Sequence, residues 1–290
     1  MRILITGTNS FIGSNFRRFS KFSGVTEISL RNTFPQSINL QNYDVLLHFA
    51  AIVHQDKKIR ADEYFSVNRD LTVSLARHAK KSGIKQFIFL STVKVYGEHN
   101  ESTKPWKEDS PCFPDEPYGK SKYEAEVEIK KLATQEFKIV IVRTPVVYGA
   151  GVKGNVLNLT KLIQKSFILP FGGINNNRHF TYIENLVGFL DRIIESKANG
   201  TYIVMDSESI STSYFVSCIA QNLNPGLINF KIPGVILKLA GFVFPGKLDK
   251  LLGSFYLNNE YTRRQLNFEP RITTEEGIKR YINEFLKQKS

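Results

Sequence analysis

The N-terminal half of the chain alternates short runs of apolar, often β-branched residues with longer stretches in which apolar positions recur at helical spacing. The short runs predict strands near 2–6, 25–30, 43–50, 86–92 and 138–143, and the longer stretches predict helices near 11–22, 62–82 and 117–136. Alternating strands and helices form a parallel sheet that is covered by helices. The pattern therefore predicts an α/β fold with a doubly wound parallel sheet, in which ligands bind at the carboxyl ends of the strands.

The pattern changes after Tyr148, where loops rich in glycine and asparagine follow at 149–155 and 172–177. We expect residues 1–150 to form the sheet domain. Residues 151–290 are expected to form mainly a smaller C-terminal lobe over the strand ends, which can also return segments to the sheet.

Apolar stretches in the chain are too short for membrane insertion, because a spanning helix needs ~20 consecutive apolar residues. The apolar segment 232–244 is interrupted by Pro233, Gly234 and Gly241, and favours a packed helix or loop over an anchor. The first apolar run, at residues 2–5, is too short for the core of a signal peptide. We therefore expect a soluble, cytoplasmic protein.

The net charge of +12 permits binding of any polyanion. The basic residues are scattered and often stand beside acids, without a basic block interleaved with aromatics, so nucleic acid is not an expected partner. A positive surface also suits diphosphate ligands. Cys112 and Cys218 stand far apart and the five histidines form no HExxH motif, so no metal site is expected.

A glycine-containing turn follows the first predicted strand directly, at 6–13, and leads into a helical pattern. Gly7 permits the tight turn and Gly13 permits close packing of the helix on the strand, while the free N–H groups at the start of the helix suit a pyrophosphate. This context predicts a dinucleotide site, although a plain strand–turn–helix would read the same.

Tyr118 and Lys122 share one face of a predicted helix, one turn apart. A phenol titrates near ~10 and needs a nearby cation to act as an acid or base at neutral pH, which Lys122 supplies. Ser91 and Thr92 end a predicted strand at the carboxyl edge. Each feature alone also fits a surface helix or a capped strand.

Together, these elements resemble the extended short-chain dehydrogenase/reductases, also described as the NAD-dependent epimerase/dehydratase family. The resemblance covers most of the chain and rests on the following segments: TG…FIG at 6–13, HFAA at 48–51, STVKVYG at 91–97, YGKSK at 118–122, RTPVVYG at 143–149, and Arg178 with YIENL at 182–186. It implies a Rossmann-type sheet, a nicotinamide dinucleotide, a nucleotide-sugar substrate and a homodimer built on the helices at 62–82 and 117–136.

The resemblance also assigns roles to individual residues. Tyr118 is implied as the acid/base, Lys122 as its pKa-lowering partner and ribose ligand, and Thr92 as the hydroxyl that binds the reacting oxygen. Further cofactor contacts are implied at Gly7, Ser10, Phe11, Ile12, Gly13, Arg31, Ala50, Ala51, Ser91, Pro145 and Val147. Substrate contacts are implied at Thr92, Lys94, Asn155, Phe171 and Arg178, with Phe171 on the uracil of a UDP-sugar and Arg178 on its diphosphate.

Three positions depart from the family pattern. Ser10 replaces the usual middle glycine, Val146 replaces a frequent asparagine, and residues 252–256 contain no second arginine for the diphosphate.

Arg31 stands at the end of the second predicted strand, where NAD-selective sites place an acid on the ribose. It favours NADP(H), with NAD(H) as the alternative. The loops look most like bacterial 4-ketoreductases that act on UDP-linked 2-acetamido-2,6-dideoxy-4-hexuloses in surface-polysaccharide synthesis. The alternatives are a UDP-hexose or UDP-N-acetylhexosamine 4-epimerase with bound NAD and, outside catalysis, a cofactor-sensing scaffold protein.

Overall fold

The computed structural model describes residues 1–53, 59–101, 103–232 and 252–288. Strands β1 to β10 span, in order, Ile3–Thr6, Val25–Ile28, Val45–His48, Gln86–Thr92, Lys138–Thr144, Val146–Tyr148, Ile168–Gly172, Phe180–Tyr182, Gly200–Ile203 and Ile228–Lys231. Helices α1 to α9 span, in order, Phe11–Phe19, Ala61–Tyr64, Thr72–Lys81, Pro117–Lys130, Asn155–Lys165, Ile183–Glu195, Thr212–Leu223, Glu260–Leu266 and Thr274–Lys287.

Within the described residues, six parallel strands form the main sheet in the order β2-β1-β3-β4-β5-β9. The chain leaves β1 toward β2 on one side and returns to β3 on the other. This reversal opens a crevice at the carboxyl ends of β1 and β3, which is the usual ligand position in such sheets. The predicted doubly wound parallel sheet is confirmed.

Both faces of the sheet are buried, as parallel sheets require. On β1, Ile3 and Ile5 face a core shared with the C-terminal helices, while Leu4 faces a second core beneath α3 and α4. The same alternation continues through β3, β4 and β5, so their inner residues are almost wholly apolar. This burial fixes the register of the strands and the level at which each one ends.

The five predicted strands are confirmed, with β2 and β3 shorter than their apolar runs. The predicted helix at 62–82 is a continuous helical segment in which a π-helical stretch, Phe65–Leu71, lies between α2 and α3. The predicted helix at 117–136 ends at Lys130 and continues only as a turn.

Residues beyond 150 return one strand to the main sheet and form strand pairs outside it. β9 pairs with β5, whereas β6 pairs with β8 and β7 pairs with β10 outside the sheet. Most of the apolar segment 232–244 lies outside the described residues. In the described ranges, no helix combines the length and apolar character needed to cross a bilayer.

Candidate active site

The carboxyl edge of the sheet gathers most of the predicted site residues. Thr6 lies beside His48 in the register of β1 and β3, and Thr92 lies beside Thr144 in that of β4 and β5. The segments that follow these strands therefore emerge side by side. They carry Gly7, Ala50, Ala51, Lys94 and Pro145.

The turn after β1 is built for a close backbone approach. Gly7 has a φ of +99°, and a Cβ there would lie 3.1 Å from the Ala50 amide nitrogen. At Gly13 a Cβ would lie 2.8 Å from the Ser10 hydroxyl, which caps α1 by accepting from the Gly13 N–H at 3.1 Å. Phe11 and Ile12 form the first turn of this helix. Its free N–H groups face the crevice edge and fit a pyrophosphate.

A residue that sequence reasoning missed anchors the opposite wall of the crevice. Asn68, fully buried in the π-helical stretch, accepts from the Ile52 N–H at 2.8 Å and donates to the Ile52 carbonyl at 2.9 Å. It also donates to Ser121 on α4 at 3.2 Å. Asn68 therefore couples the loop after β3, with Ala50 and Ala51, to the helix that carries Tyr118. The feature that marks Asn68 is the π-helical stretch around it, and the sequence pattern does not reveal that stretch.

Thr92 and Tyr118 meet at the mouth of the crevice. Their hydroxyl groups are hydrogen bonded to each other, and the Tyr118 ring packs edge-on against Tyr64 with centroids 6.2 Å apart. The start of α4 fits tightly here, since a Cβ on Gly119 would lie 2.7 Å from the Lys94 carbonyl oxygen. Close docking of α4 on the turn after β4 brings the two hydroxyls together.

Lys122 is 2% exposed, and its ammonium lies 4.0 Å from the centre of the Phe89 ring. Burial lowers the pKa of Lys122 to about 7, and the Glu126 carboxylate opposes this shift. The sequence predicted that Lys122 would lower the pKa of Tyr118. In this structure burial instead raises the pKa of Tyr118 to about 12, and the hydrogen bond with Thr92 opposes the rise.

A buried ion pair between Glu126 and Arg143 attaches α4, the helix of Tyr118 and Lys122, to the sheet. Glu126, one turn after Lys122, accepts from Arg143 Nη2 at 2.6 Å and from the Ser91 hydroxyl at 2.5 Å. Both charged side chains are almost fully buried, and Arg143 also donates to the Glu108 carbonyl at 3.1 Å. Ser91 thus supports the site through Glu126. This contact joins α4 to β4 and β5 beside Thr92.

Two cations converge on one aromatic ring near the same mouth. Lys94 Nζ lies 5.7 Å and the Arg178 guanidinium 5.0 Å from the centre of Phe255. Lys94 also contacts Glu98 at 2.5 Å and Glu116 at 3.9 Å, while Arg178 Nε donates to the carbonyl of residue 253 at 2.9 Å. Burial lowers the pKa of Arg178 to about 10, so it stays charged at neutral pH. Sequence reasoning missed Phe255.

Arg31 lies in an exposed turn just after β2, and its backbone N–H donates to the Ser29 hydroxyl at 3.2 Å. Glu27, the acid of this strand, accepts from the Asn9 N–H at 2.9 Å and pairs with Arg17 at 3.1 Å. That carboxylate is therefore committed to the turn before α1. Arg31 is the charged side chain that follows the strand.

The remaining predicted residues lie farther along the chain. Pro145 is buried directly after β5, and Val147 lies half-buried in β6 against the larger core. Asn155 is the exposed first residue of α5. Phe171 is half-buried in β7, packs against the same core, and its N–H donates to Asn229 at 3.0 Å. Among the described residues, no group of three or more histidine, cysteine or acidic side chains is placed to hold a metal ion.

A parallel sheet with a glycine turn after β1, and with a Tyr–Lys pair beside a threonine hydroxyl at its carboxyl edge, defines an extended short-chain dehydrogenase/reductase. The family model described as "NAD dependent epimerase/dehydratase family" matches residues 3–204. The chain belongs to this family, and we conclude that it is an enzyme of the nucleotide-sugar epimerase and reductase type.

Two curated relatives are 4-epimerases by name. The chain is 33% identical to a UDP-glucose 4-epimerase of Vibrio cholerae, over 98% of this chain and 95% of the relative. It is 27% identical to the N-acetyl-α-D-glucosaminyl-diphospho-ditrans,octacis-undecaprenol 4-epimerase of Escherichia coli O157:H7, over 88% of this chain and 82% of the relative.

Solved structures share the fold at lower identity. A dTDP-4-dehydrorhamnose reductase from Clostridium acetobutylicum is 20% identical with a TM-score of 0.79, and the match covers 99% of this chain and 100% of that one. A UDP-glucose 4-epimerase from Thermotoga maritima is 21% identical with a TM-score of 0.80, and both chains are covered completely.

Proposed function

We propose that the protein reduces the C4 ketone of a UDP-linked 2-acetamido-2,6-dideoxy-4-hexulose with NADPH, in surface-polysaccharide synthesis. The observation that carries this proposal is the hydrogen-bonded pair of Thr92 and Tyr118 hydroxyls, with Lys122 one helical turn away. Two hydroxyls at this edge suit a ketone oxygen, which becomes an alkoxide during reduction and needs a proton.

The chain's own residues then divide the work. The nicotinamide, when bound, supplies the hydride. Thr92 holds the C4 oxygen, and Tyr118 gives its phenolic proton to that oxygen as negative charge develops. Lys122, in its charged form, stabilises the phenolate that remains. The turn at Gly7, with the first amides of α1, would hold the pyrophosphate of the cofactor and so position the nicotinamide at the crevice.

The cofactor preference rests on Arg31. A guanidinium suits the 2′-phosphate of NADPH. The acid of β2, Glu27, is already bound to the Asn9 N–H and to Arg17, so it is not available to the ribose of NADH. Charge-assisted contacts to a phosphate contribute on the order of 1.5–3 kcal/mol, roughly tenfold to a hundredfold in affinity. A cofactor that is consumed and exchanged fits a net reduction.

We expect titration to show tighter binding of NADPH than of NADH, and Arg31→Ala to narrow that gap. Arg264→Ala, which removes another exposed arginine from α8, is the matched control and should leave the gap unchanged. Equal affinities in the wild-type protein would contradict the assignment of Arg31 and favour an enzyme that retains NAD.

A 4-epimerase is the second candidate, and the two curated relatives favour it. Tyr118, supported by Thr92 and Lys122, would then take the proton of the C4 hydroxyl and give it back after the sugar has turned over, and bound NAD would supply the acceptor and donor of the hydride. Incubation with UDP-glucose or UDP-N-acetylglucosamine, without added cofactor, separates the candidates. Formation of the C4 epimer supports the epimerase. Reduction of the 4-ketosugar only when NADPH is added supports the reductase.

The proposal also assigns residues to the substrate. Arg178, which lies over Phe255, is assigned to the diphosphate because a guanidinium suits phosphate oxygens, and Lys94, on the same ring, is assigned to the substrate. Phe171 and Asn155 are assigned to the uracil and the sugar nucleotide. We also propose a homodimer through the helical segments 61–81 and 117–130, which sedimentation equilibrium would test.

A further inference from the structure

Five large apolar side chains in the C-terminal half of the chain are exposed together. They lie at the end of α5, in the connection to β7, in β7 and in β10, and we call them the outer apolar patch: Leu162, Phe167, Ile168, Ile228 and Phe230. Phe167 is 84% exposed, which is the extreme among the large apolar residues of the described chain. Contiguous exposed apolar side chains on a protein usually mark a contact surface.

Three of these side chains are adjacent through the pairing of β7 with β10: Phe167, Ile168 and Ile228. Ile168 of β7 lies directly beside Ile228 of β10, and the Ile228 N–H donates to the Phe167 carbonyl at 2.8 Å. Phe230 follows in β10, where the pairing with β7 is irregular between Asn229 and Lys231, and its side chain is 44% exposed. Leu169 projects to the other side and is buried in the core. The exposed apolar side chains of the patch therefore lie on and beside a two-stranded sheet, and Leu169 of that sheet is packed in the core.

The backbone beneath the patch is held in place. Asn224 Nδ2 donates to the carbonyl oxygens of Ile163 at 3.0 Å and Ser166 at 2.8 Å, which fixes the connection from α5 to β7. Asn229 accepts from the Phe171 N–H at 3.0 Å. The backbone that carries the exposed side chains is thus fixed by hydrogen bonds.

The segments that carry the patch supply lysines and no acidic side chain, and the acid that contacts them is Glu275, which accepts from Tyr214 of α7. The chain contains no aspartate or glutamate between residues 137 and 183 or between 209 and 232, the stretches that supply α5, β7, α7 and β10. Lys161, Lys165 and Lys231 are exposed on these same elements. The stem of Lys231 lies over Gly173, where a Cβ would approach it to 2.5 Å, so this lysine is held at the margin of the patch.

We propose that the outer apolar patch docks the protein on the surface of an anionic phospholipid bilayer. Phenylalanine and aliphatic side chains insert among the upper acyl chains, and the surrounding lysines bind the headgroups, the combination used by interfacial proteins. A second copy of this chain is a poorer occupant, because a two-fold contact through the patch would set its lysines against themselves. Docking is independent of which sugar reaction the site performs.

Vesicle binding without substrate tests the proposal directly. The wild-type protein is sedimented with vesicles of equal parts phosphatidylglycerol and phosphatidylcholine, and with vesicles of phosphatidylcholine alone. We expect binding to the anionic vesicles that weakens when salt rises from about 0.1 M to about 1 M, since the Debye length then falls from about 10 Å to about 3 Å.

Matched variants separate the apolar and charged contributions. Phe167→Gln should weaken binding about tenfold, whereas Phe34→Gln, at a phenylalanine that is 80% exposed in the loop after β2, should leave it unchanged. Replacing Lys161, Lys165 and Lys231 with glutamine should cost about a hundredfold, at about fivefold for each lysine. The same change at the exposed Lys81, Lys85 and Lys279 gives an equal net charge and serves as control.

Three results would overturn the proposal. One is failure of the wild-type protein to bind anionic vesicles, and another is equal loss of binding in the patch variants and their controls. The third is a change of oligomeric state in Phe167→Gln, measured by light scattering, which would assign the patch to a contact between copies. Circular dichroism of each variant establishes that the fold is retained.

Discussion

Glu126→Gln isolates the contribution of the buried ion pair beneath the catalytic helix. The substitution keeps the shape of the side chain and removes one charge, so Arg143, at 2% exposure, is left without its carboxylate partner. Breaking a buried ion pair from one side costs about 3–5 kcal/mol, because a charge remains desolvated and uncompensated. For a chain of this size that corresponds to a fall in Tm of about 6–10 °C.

Glu124→Gln is the matched control, since it changes the same residue type half a turn away on the same helix. Glu124 pairs with Arg69 at 2.7 Å, but its side chain is 46% exposed. A surface pair of this kind contributes about 0.2–1 kcal/mol. The Tm should therefore fall by no more than about 2 °C.

The same substitution should also change the charge state of Lys122. The Glu126 carboxylate raises the pKa of Lys122 against the effect of burial, so removing it lowers this pKa further. At a fixed neutral pH a smaller fraction of Lys122 is then protonated. The high-pH limb of kcat/KM should move to lower pH in Glu126→Gln and stay in place in Glu124→Gln.

Calorimetry and a pH–rate series on the two variants provide the measurements. If Glu126→Gln melted within about 2 °C of the wild type, the ion pair would not carry the stability assigned to it. If it lost stability but kept the wild-type pH limb, Glu126 would be a structural residue without influence on Lys122.

Three further outcomes test the site. Tyr118→Phe should remove nearly all turnover but leave cofactor affinity close to wild type, because only the acidic hydroxyl is lost; near-normal kcat would refute the acid/base role. Cofactor affinity should fall as pH rises above about 7, by up to about tenfold per pH unit, because the cofactor binds charged Lys122, whose pKa is lowered to about 7 by burial. Lys122→Met should flatten that dependence in a fluorescence titration. Arg178→Ala should raise KM for a UDP-sugar far more than it changes kcat, since the diphosphate lies away from the reacting carbon; equal competition by UDP against both proteins would return Arg178 to a structural role.

The fold was predictable from sequence where one physical signal was strong. Apolar runs such as Phe87–Leu90 mark strands that are buried on both faces, and the turn at Gly7 marks the crevice. β9 escaped prediction, because its four residues include Gly200 and carry little pattern of their own. β9 forms because it pairs with the edge of β5, and that edge exists only once the sheet has assembled.

The candidate site divides in the same way. The Tyr118–Lys122 spacing is local, so it can be read on a helix. The approach of Lys94 and Arg178 to Phe255 joins three segments that are distant along the chain, and no spacing rule links them. The buried state of Lys122 on Phe89, which sets its pKa, also depends on how α4 packs against the sheet.

The late position of β9 has a consequence for synthesis. At roughly 5–20 residues per second, the ribosome needs several seconds to proceed from Thr144, at the end of β5, to Ile203, at the end of β9. During that interval the outer edge of β5 presents unpaired N–H and C=O groups, which is a template for pairing with other chains. A nascent chain of this protein is therefore exposed to misassembly when five of the six strands of its main sheet have been made, and chaperone contact matters most at that stage.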